Sequence, residues 1–515
     1  LRFFKLGSQS LWYDELFQHW AAQFPPLELI NQVAADGQTP PLYYLITHFW
    51  LELVGWLAPD WLAAHPEAWL RLPSAVFGSL LLLVLYRLAG RLFGVTVARL
   101  SLVFLALNPL LVGYAQEGRA YSLALLLVAL SFWYFLKLKD GPASRKDWLV
   151  YGLISSAALY THYYCLYPLL AQALWFLGSW WPRRQWSRLK PWLLCQLITG
   201  LSFVPWVVVW WRVVSYTGAH LTLLPSDTDL LTVLRRGFGW FGLGNVEIWP
   251  GWDWKGPFDG AATLLMISGL LFLLGGAALA LQHRKAGEWV GLLIWFGLGA
   301  FGPAITGPLV KLPNAPRYAI QGASPLMLLL AVSLGWLFLA RPNKAKLTIG
   351  GIVALIWLGL MGWGLWNYYF NPDSSRDDWR GALATVAAEA RPDDLLLGFP
   401  YHHFDPAQAL YLGKRRWPGR AGGWSYTQSG ALYFPGQRWG GYADFDKPQT
   451  APSYDLTGDL ARLVAPYRRI WVIAYSNPTN ATILQWLGQH YRALPPRYFN
   501  PHQNLVLYRF DPVDG

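Results

Sequence analysis

Two acids stand side by side near the start of the chain, Asp14 and Glu15, behind the aromatic pair Trp12-Tyr13 in an otherwise apolar segment. A carboxylate held beside an apolar phase loses hydration, which makes it a stronger base and suits it to take a proton from an acceptor hydroxyl. A solvated loop acid is the plain competitor. A second group, Gln116-Glu117-Gly118-Arg119-Ala120-Tyr121, sits at the junction of two apolar runs. There Glu117 and Arg119 either pair with one another or act outward, the guanidinium on a phosphate and the carboxylate on a sugar or metal. Lys311 and Arg317, in Lys311-Leu-Pro-Asn-Ala-Pro-Arg317, and Arg71, in Arg71-Leu-Pro-Ser, add cations at the ends of other apolar runs. His162 and Tyr163 mark one more such end, although a lone His is more often a hydrogen-bonded packing residue than a ligand. The pair Asp227 and Asp229 is a weak metal signal, and Asn480-Ala-Thr482 is an equally weak glycosylation sequon. The sequence contains no P-loop, H-E-x-x-H, paired C-x-x-C or Rossmann fingerprint.

The elements that must position these residues are membrane helices. Of 515 residues, 54% are hydrophobic and 14% charged, against about a quarter charged in a soluble domain. Apolar blocks long enough to cross a hydrocarbon core as helices recur along the chain. They predict ten spans, at about 72–90, 97–113, 120–136, 148–164, 165–181, 191–211, 261–281, 289–307, 318–339 and 347–366. The basic residues fall on alternate links: Arg87, Arg91 and Arg99; Lys137 to Lys146; Arg183 to Lys190; Arg284 and Lys285; Arg341 to Lys346. All five links land on one side, which the positive-inside rule makes cytoplasmic. The net charge of +12 is therefore spent on topology and does not point to nucleic acid. Parity puts residues 1–70, the turn 114–119, the region near 162–165, the loops 212–260 and 308–317, and everything after about 367 outside. The basic residues among them run against that bias, and an anionic ligand or lipid headgroups would account for them.

Segment 42–57 is apolar but breaks parity if it spans, so it reads as a juxtamembrane helix in the outer leaflet. After about Asn371 the pattern changes to a small α/β domain. It has a helix and then a strand within Asp377–Leu397, a strand at 469–475, a helix at Ile483–His490 and a strand at Leu505–Phe510, with a Gly/Trp-rich section at 417–442. The domain organisation expected is 1–70 as a first external loop, 71–366 as the transmembrane part and 367–515 as an external soluble domain. Cys165 and Cys195 lie in apolar runs and read as packing residues. The chain begins at Leu1 in a polar-aromatic stretch, which suggests an eleventh, N-terminal span upstream.

Five motifs occur in an order that resembles the polyprenyl-phosphate-dependent glycosyltransferases of the GT-C fold: SLWYDE near the start, TPPLYYL at 39–45, RLPSAVFG at 71–78, NPLLVGYAQEGRAY at 108–121 and RYAIQGASPL at 317–326. Within them the chain is most similar to protein O-mannosyltransferases and lipid A aminoarabinose transferases. The resemblance implies a plasma (inner) membrane enzyme that moves a sugar, with inversion, from a polyprenyl-phosphate donor to a hydroxyl of a lipid, glycan or protein at the extracytoplasmic face. It makes Asp14 the base, with Glu15 as an alternative or helper. Glu117 and Arg119, with Tyr121, His162 and Tyr163, would orient donor and acceptor, and Arg317, Lys311 and Arg71 would hold the phosphate. Thr39 stands where the family usually has His, which leaves open a divalent Mg or Mn ion at Asp14 and Glu15. Trp240, Trp249, Trp252 and Trp254 are candidates for stacking on sugar rings, or for anchoring in the interface. A transporter or flippase for a lipid-linked glycan is the alternative, but transporters carry repeats and midplane charges that are not evident here. A non-catalytic scaffold would leave the ordered motifs unexplained.

Overall fold

The computed structural model describes residues 1–141, 143–180, 186–217, 230–244, 257–306, 316–339, 344–372, 375–391, 394–399, 401–412, 420–423, 460–461, 464–475, 478–499 and 505–513. They form two compact units. The helical unit comprises Leu1–Leu6, Asp36–Ile46 and Arg71–Phe370; the mixed unit comprises Gly7–Ala35, Thr47–Leu70 and Asn371–Gly515. The segment 1–70, read from the sequence as one external loop, is thus shared between them.

The helices before the first long one are α1 (Tyr13–Ala21), α2 (Pro26–Asp36), α3 (Leu42–Leu57) and α4 (Pro59–Ala64). Then come α5 (Pro66–Phe93), α6 (Val95–Leu107), α7 (Pro109–Ala115), α8 (Tyr121–Asp140), α9 (Arg145–Thr161), α10 (Leu166–Trp180) and α11 (Trp186–Thr217). They are followed by α12 (Leu230–Leu243), α13 (Pro257–Gln282), α14 (Ala286–Thr306), α15 (Pro316–Ala319), α16 (Ala323–Leu339) and α17 (Lys344–Phe370). The described residues of the ten apolar runs are mostly helical, with breaks at Asn108, after Thr161 and at the 3-10 turn Ile320–Gly322. Among the described residues, six stretches, in α5, α8, α11, α13, the run Arg317–Phe338 and α17, are long and apolar enough to cross a membrane singly, and α6 with α7 makes a seventh if the bent pair is one span.

Local chemistry explains the breaks. Between α6 and α7 the Asn108 side chain accepts from the Leu111 N–H at 2.9 Å and donates to the Phe241 carbonyl at 2.7 Å, and Pro109 cannot continue the ladder. The result is a 61° bend. Helix α9 starts on a capping box in which Ser144 and Asp147 bond reciprocally. Buried polar groups inside the unit are chained: Gln196 donates to Tyr151 at 3.0 Å, Tyr151 to Gln172 at 2.7 Å and Gln172 to Ser131 at 2.7 Å, linking α8 to α11. In a lipid environment such groups must find partners within the protein.

Helix α12 is a correction to the sequence reading, which left 212–260 as a loop. Trp240 lies on it and is 2% exposed, so it cannot stack on a sugar; Trp249, Trp252 and Trp254 fall outside the described residues, as do Lys311, Asp227 and Asp229. The sequence passed over α12 because Arg235, Arg236 and three glycines dilute its apolar pattern. Arg235 is matched by Asp259 of α13 at 2.8 Å.

The mixed unit adds α18 (Trp379–Glu389), α19 (Tyr401–Tyr411), α20 (Pro478–His490) and strands β1 (Asp394–Phe399), β2 (Arg420–Gly423), β3 (Arg469–Tyr475), β4 (Arg492–Ala493), β5 (Arg497–Tyr498) and β6 (Leu505–Asp511). The sheet order is β2-β1-β3-β6-β4, with β5 also on β6. Strand β1 is parallel to β2 and β3, while β6 runs antiparallel to β3. Alternate residues feed two cores, as strand geometry dictates. Leu395, Leu397, Ile470 and Val472 pack with Ile483 and Leu487 of α20. Leu396, Trp471 and Ile473 pack with α18, α19 and the N-terminal residues Leu11, Leu16, Leu51 and Leu70. Residues up to Leu70, at the start of α5, therefore complete a core made mainly by the C-terminal part of the chain.

Candidate functional site

The turn after α7 is held from several directions. Gln116 caps the helix, and its amide reaches the carbonyls of Leu1, Arg2 and Phe4 at 3.1, 3.0 and 2.7 Å. Arg119 closes the turn with its N–H on the Glu117 carbonyl at 2.7 Å. Its own carbonyl accepts from Ser74 at 3.1 Å, and Ser74 accepts from Tyr43 at 2.6 Å. Glu117 and Arg119 are both buried. The Arg119 guanidinium donates to the Tyr44 hydroxyl at 2.8 Å, and Thr39 donates to the same oxygen at 3.3 Å. The unusual Thr39 thus supports the tyrosine that holds this arginine. Burial raises the Tyr44 phenol above its ordinary range, and the Arg119 charge works against that rise.

His162 follows α9 and caps the 3-10 turn Tyr163–Cys165, its Nδ1 accepting from the Tyr164 N–H at 3.2 Å. An accepting Nδ1 fixes the neutral tautomer with the proton on Nε2. The ring lies 5.5 Å from Tyr121 and 5.0 Å from Tyr164, centroid to centroid. Burial pushes its pKa down to about 3, and the charges of Arg119 and Arg317 push the same way. Both arginines therefore act on one buried ring. Arg317 itself lies 5.1 Å over Tyr318, which meets Tyr164 edge-on at 5.1 Å. Tyr163 donates to the Gly37 carbonyl at 2.8 Å and accepts from Trp206 at 2.9 Å. Burial raises the Tyr163 phenol, and the charges of Asp36 and Tyr44 add to the effect.

Arg119, Tyr121, His162, Tyr163 and Arg317 are thus one neighbourhood of the helical unit, joined by Thr39 and Tyr44. Arg71 belongs to the same unit and donates to the Leu6 carbonyl at 3.1 Å. Asp36, buried beside Gly37, is a member that the sequence did not single out. Its Asp-Gly pair reads as an ordinary turn, and Gly37 does take a left-handed φ of 61°. One consequence is measurable. The folded His162 stays neutral to about pH 3, whereas the unfolded side chain takes up its proton near the ordinary value of about 6.5. Folding stability should therefore fall as pH drops through about 6.5 towards 3. Imidazole nitrogen NMR, assigned with His162→Gln, should show no titration of this ring above about pH 5; a midpoint near 6.5 would contradict the burial.

Asp14 and Glu15 belong to the mixed unit, in the first turn of α1. Glu15 is fully buried, and its carboxylate is 3.0 Å from Arg376, whose guanidinium lies 5.3 Å over the Trp12 ring. Asp14 keeps 9% exposure. The pair is a poor match for Mg or Mn. Adjacent helical residues diverge by about 100°, Glu15 already balances an arginine, and no group of three or more His, Cys, Asp or Glu side chains gathers to hold a metal among the described residues.

The architecture is that of a multi-pass membrane protein with the GT-C fold. Residues 39–211 match the family described as dolichyl-phosphate-mannose-protein mannosyltransferase, a stretch that includes Thr39, Tyr44, Arg119, Tyr121, His162 and Tyr163. ArnT from Cupriavidus metallidurans, solved bound to undecaprenyl phosphate, is similar over 99% of this chain and 95% of its own, with TM-score 0.54 and 13% identity. Its apo structure gives the same values. The oligosaccharyltransferase from Archaeoglobus fulgidus, in its apo form, overlaps 81% of this chain and 61% of its own, with TM-score 0.47 and 13% identity. No curated protein matches the chain by sequence.

Proposed function

We propose that the chain is a membrane glycosyltransferase that moves a sugar from a polyprenyl-phosphate donor to a hydroxyl acceptor at the extracytoplasmic face, with inversion. The observation that carries this reading is the gathering of Arg119 and Arg317 around buried His162 through Tyr44, Tyr121, Tyr164 and Tyr318, in a fold whose solved relative was captured with undecaprenyl phosphate. Two guanidiniums in a water-poor, aromatic setting suit a phosphate that gains charge as it leaves. His162 fits there as a neutral Nε2–H donor. The ten helical runs act as ten spans in the plasma membrane, with their basic links in the cytoplasm. Residues 367–515 lie outside as the soluble domain, and 1–70 supplies the first external loop.

In the proposed reaction the Asp14 carboxylate takes the acceptor hydroxyl proton, and the acceptor oxygen bonds to the anomeric carbon. The bond from that carbon to the phosphate oxygen breaks, and its electron pair stays on the polyprenyl phosphate. Arg119 and Arg317, with Lys311 and Arg71, hold that group, and Glu117, Tyr121 and Tyr163 orient the sugar and the acceptor. The test uses undecaprenyl phosphate itself. It should stabilise the purified chain against thermal unfolding, and Arg119→Gln with Arg317→Gln should weaken its binding about 10²-fold, as loss of two charge-assisted contacts implies. Equal binding by wild type and double variant would remove the phosphate assignment.

A further inference from the structure

Helices α13, α16 and α17 line an open apolar recess of about 350 Å³, a volume typical of small-ligand sites, roughly 300–1,000 Å³. Leu264, Leu271 and Gly275 of α13, Ser333 of α16, and Ile349 and Val353 of α17 line it. The hydroxyls that reach it are taken up by helix carbonyls: Ser268 donates to the Leu264 carbonyl at 2.7 Å and Ser333 to the Leu329 carbonyl at 2.9 Å, with the Phe272 carbonyl of α13 at 3.3 Å. The recess therefore offers hydrocarbon only. At Gly275 an added side chain would meet nothing, whereas at neighbouring Gly276 it would strike Trp289 and Ser333. One glycine thus allows helix packing and the other leaves room.

The helix ends beyond the recess carry cations. Along α17 the stripe of Ile349 and Val353 continues one turn back to Lys346, with exposed Lys344 beyond it. The end of α13 comes to the same place, since His283 stacks on Trp336 of α16 at 5.1 Å and Gly350 of α17 packs on Phe338. Arg284 and Lys285 follow His283 directly, and Glu288, 3.2 Å from Lys285, is the one nearby acid in these helix ends among the described residues. An apolar slot running up to a cluster of cations matches a lipid with a hydrocarbon tail and an anionic head.

The geometry points to a structural lipid site: one acyl chain of an anionic phospholipid lies between α13 and α17, with its phosphate at Lys344, Lys346 and Arg284. The site belongs to the leaflet at the basic helix ends and stands apart from the transfer reading. Phosphatidylglycerol, phosphatidylcholine with the same chains, and undecaprenyl phosphate, each titrated into the delipidated full chain and counted by native mass spectrometry, test it. One phosphatidylglycerol should be retained in preference to phosphatidylcholine. Gly275→Phe should weaken it about tenfold, the effect of denying roughly two methylenes their burial, with Val353→Trp as a second filling variant should the first fail to fold. Lys344→Gln with Lys346→Gln should abolish the headgroup preference while leaving phosphatidylcholine binding unchanged. The proposal is overturned if both filling variants keep the lipid, if the two phospholipids bind alike, or if filling the recess blocks undecaprenyl phosphate and spares phosphatidylglycerol.

Discussion

Asp14→Asn should lower turnover by about 10²–10⁴-fold, the range that removal of a general base produces, with little change in the KM for the lipid donor. Asn keeps the size and hydrogen-bonding reach of Asp but cannot accept the acceptor's proton. Arg317→Gln should show the complementary pattern, a raised donor KM and a smaller fall in kcat, because it removes a contact to the phosphate in the ground state as well as in the transition state. The two profiles separate a base from a phosphate ligand, which a single activity loss does not. The placement of Asp14 favours this assignment over its neighbour. It is the acid of the pair that retains exposure, whereas Glu15 is spent on Arg376. Steady-state kinetics on purified protein with a polyprenyl-phosphate sugar provide the measurement, and undiminished kcat in Asp14→Asn would eliminate it as the base.

The helices were legible wherever one property dominated a long window. Apolar length marks α5, α8, α13 and α17, and the strands β1, β3 and β6 announce themselves by runs such as Arg469–Tyr475, buried along nearly their whole length. What escaped depends on contacts distant in sequence. Helix α12 reads as loop until Asp259 is seen to answer Arg235. The value of Thr39 depends on Tyr44, which the turn at Pro40-Pro41 and the start of α3 bring to its hydroxyl. Asp36 looks like any Asp before Gly, and only the proximity of Tyr44 and Tyr163 gives it electrostatic weight. The motif Trp12-Tyr13-Asp14-Glu15 was conspicuous, but nothing local tells its two acids apart. Arg376, more than 350 positions on, does that.

That partnership yields the other large effect. Glu15→Ala removes the buried carboxylate that Arg376 pairs with, and breaking such a pair typically costs about 3–5 kcal/mol. Glu15 has no exposure and the Arg376 side chain only 13%, so solvent does little to screen the loss. Thermal unfolding of the full chain should show a marked drop for Glu15→Ala and for Arg376→Ala. The double variant Glu15→Leu with Arg376→Met should recover most of it, because an apolar pair removes the desolvation penalty along with the attraction. Turnover then separates two roles for Glu15. If its work is to hold α1, and with it Asp14, against the segment before α18, the stable double variant regains activity along with its fold. If Glu15 takes part in proton transfer, the fold returns and the activity does not. The buried ion pair, with a cation–π contact from Arg376 to Trp12 beside it, favours the first outcome. One acid of the motif then does chemistry and the other sets its position.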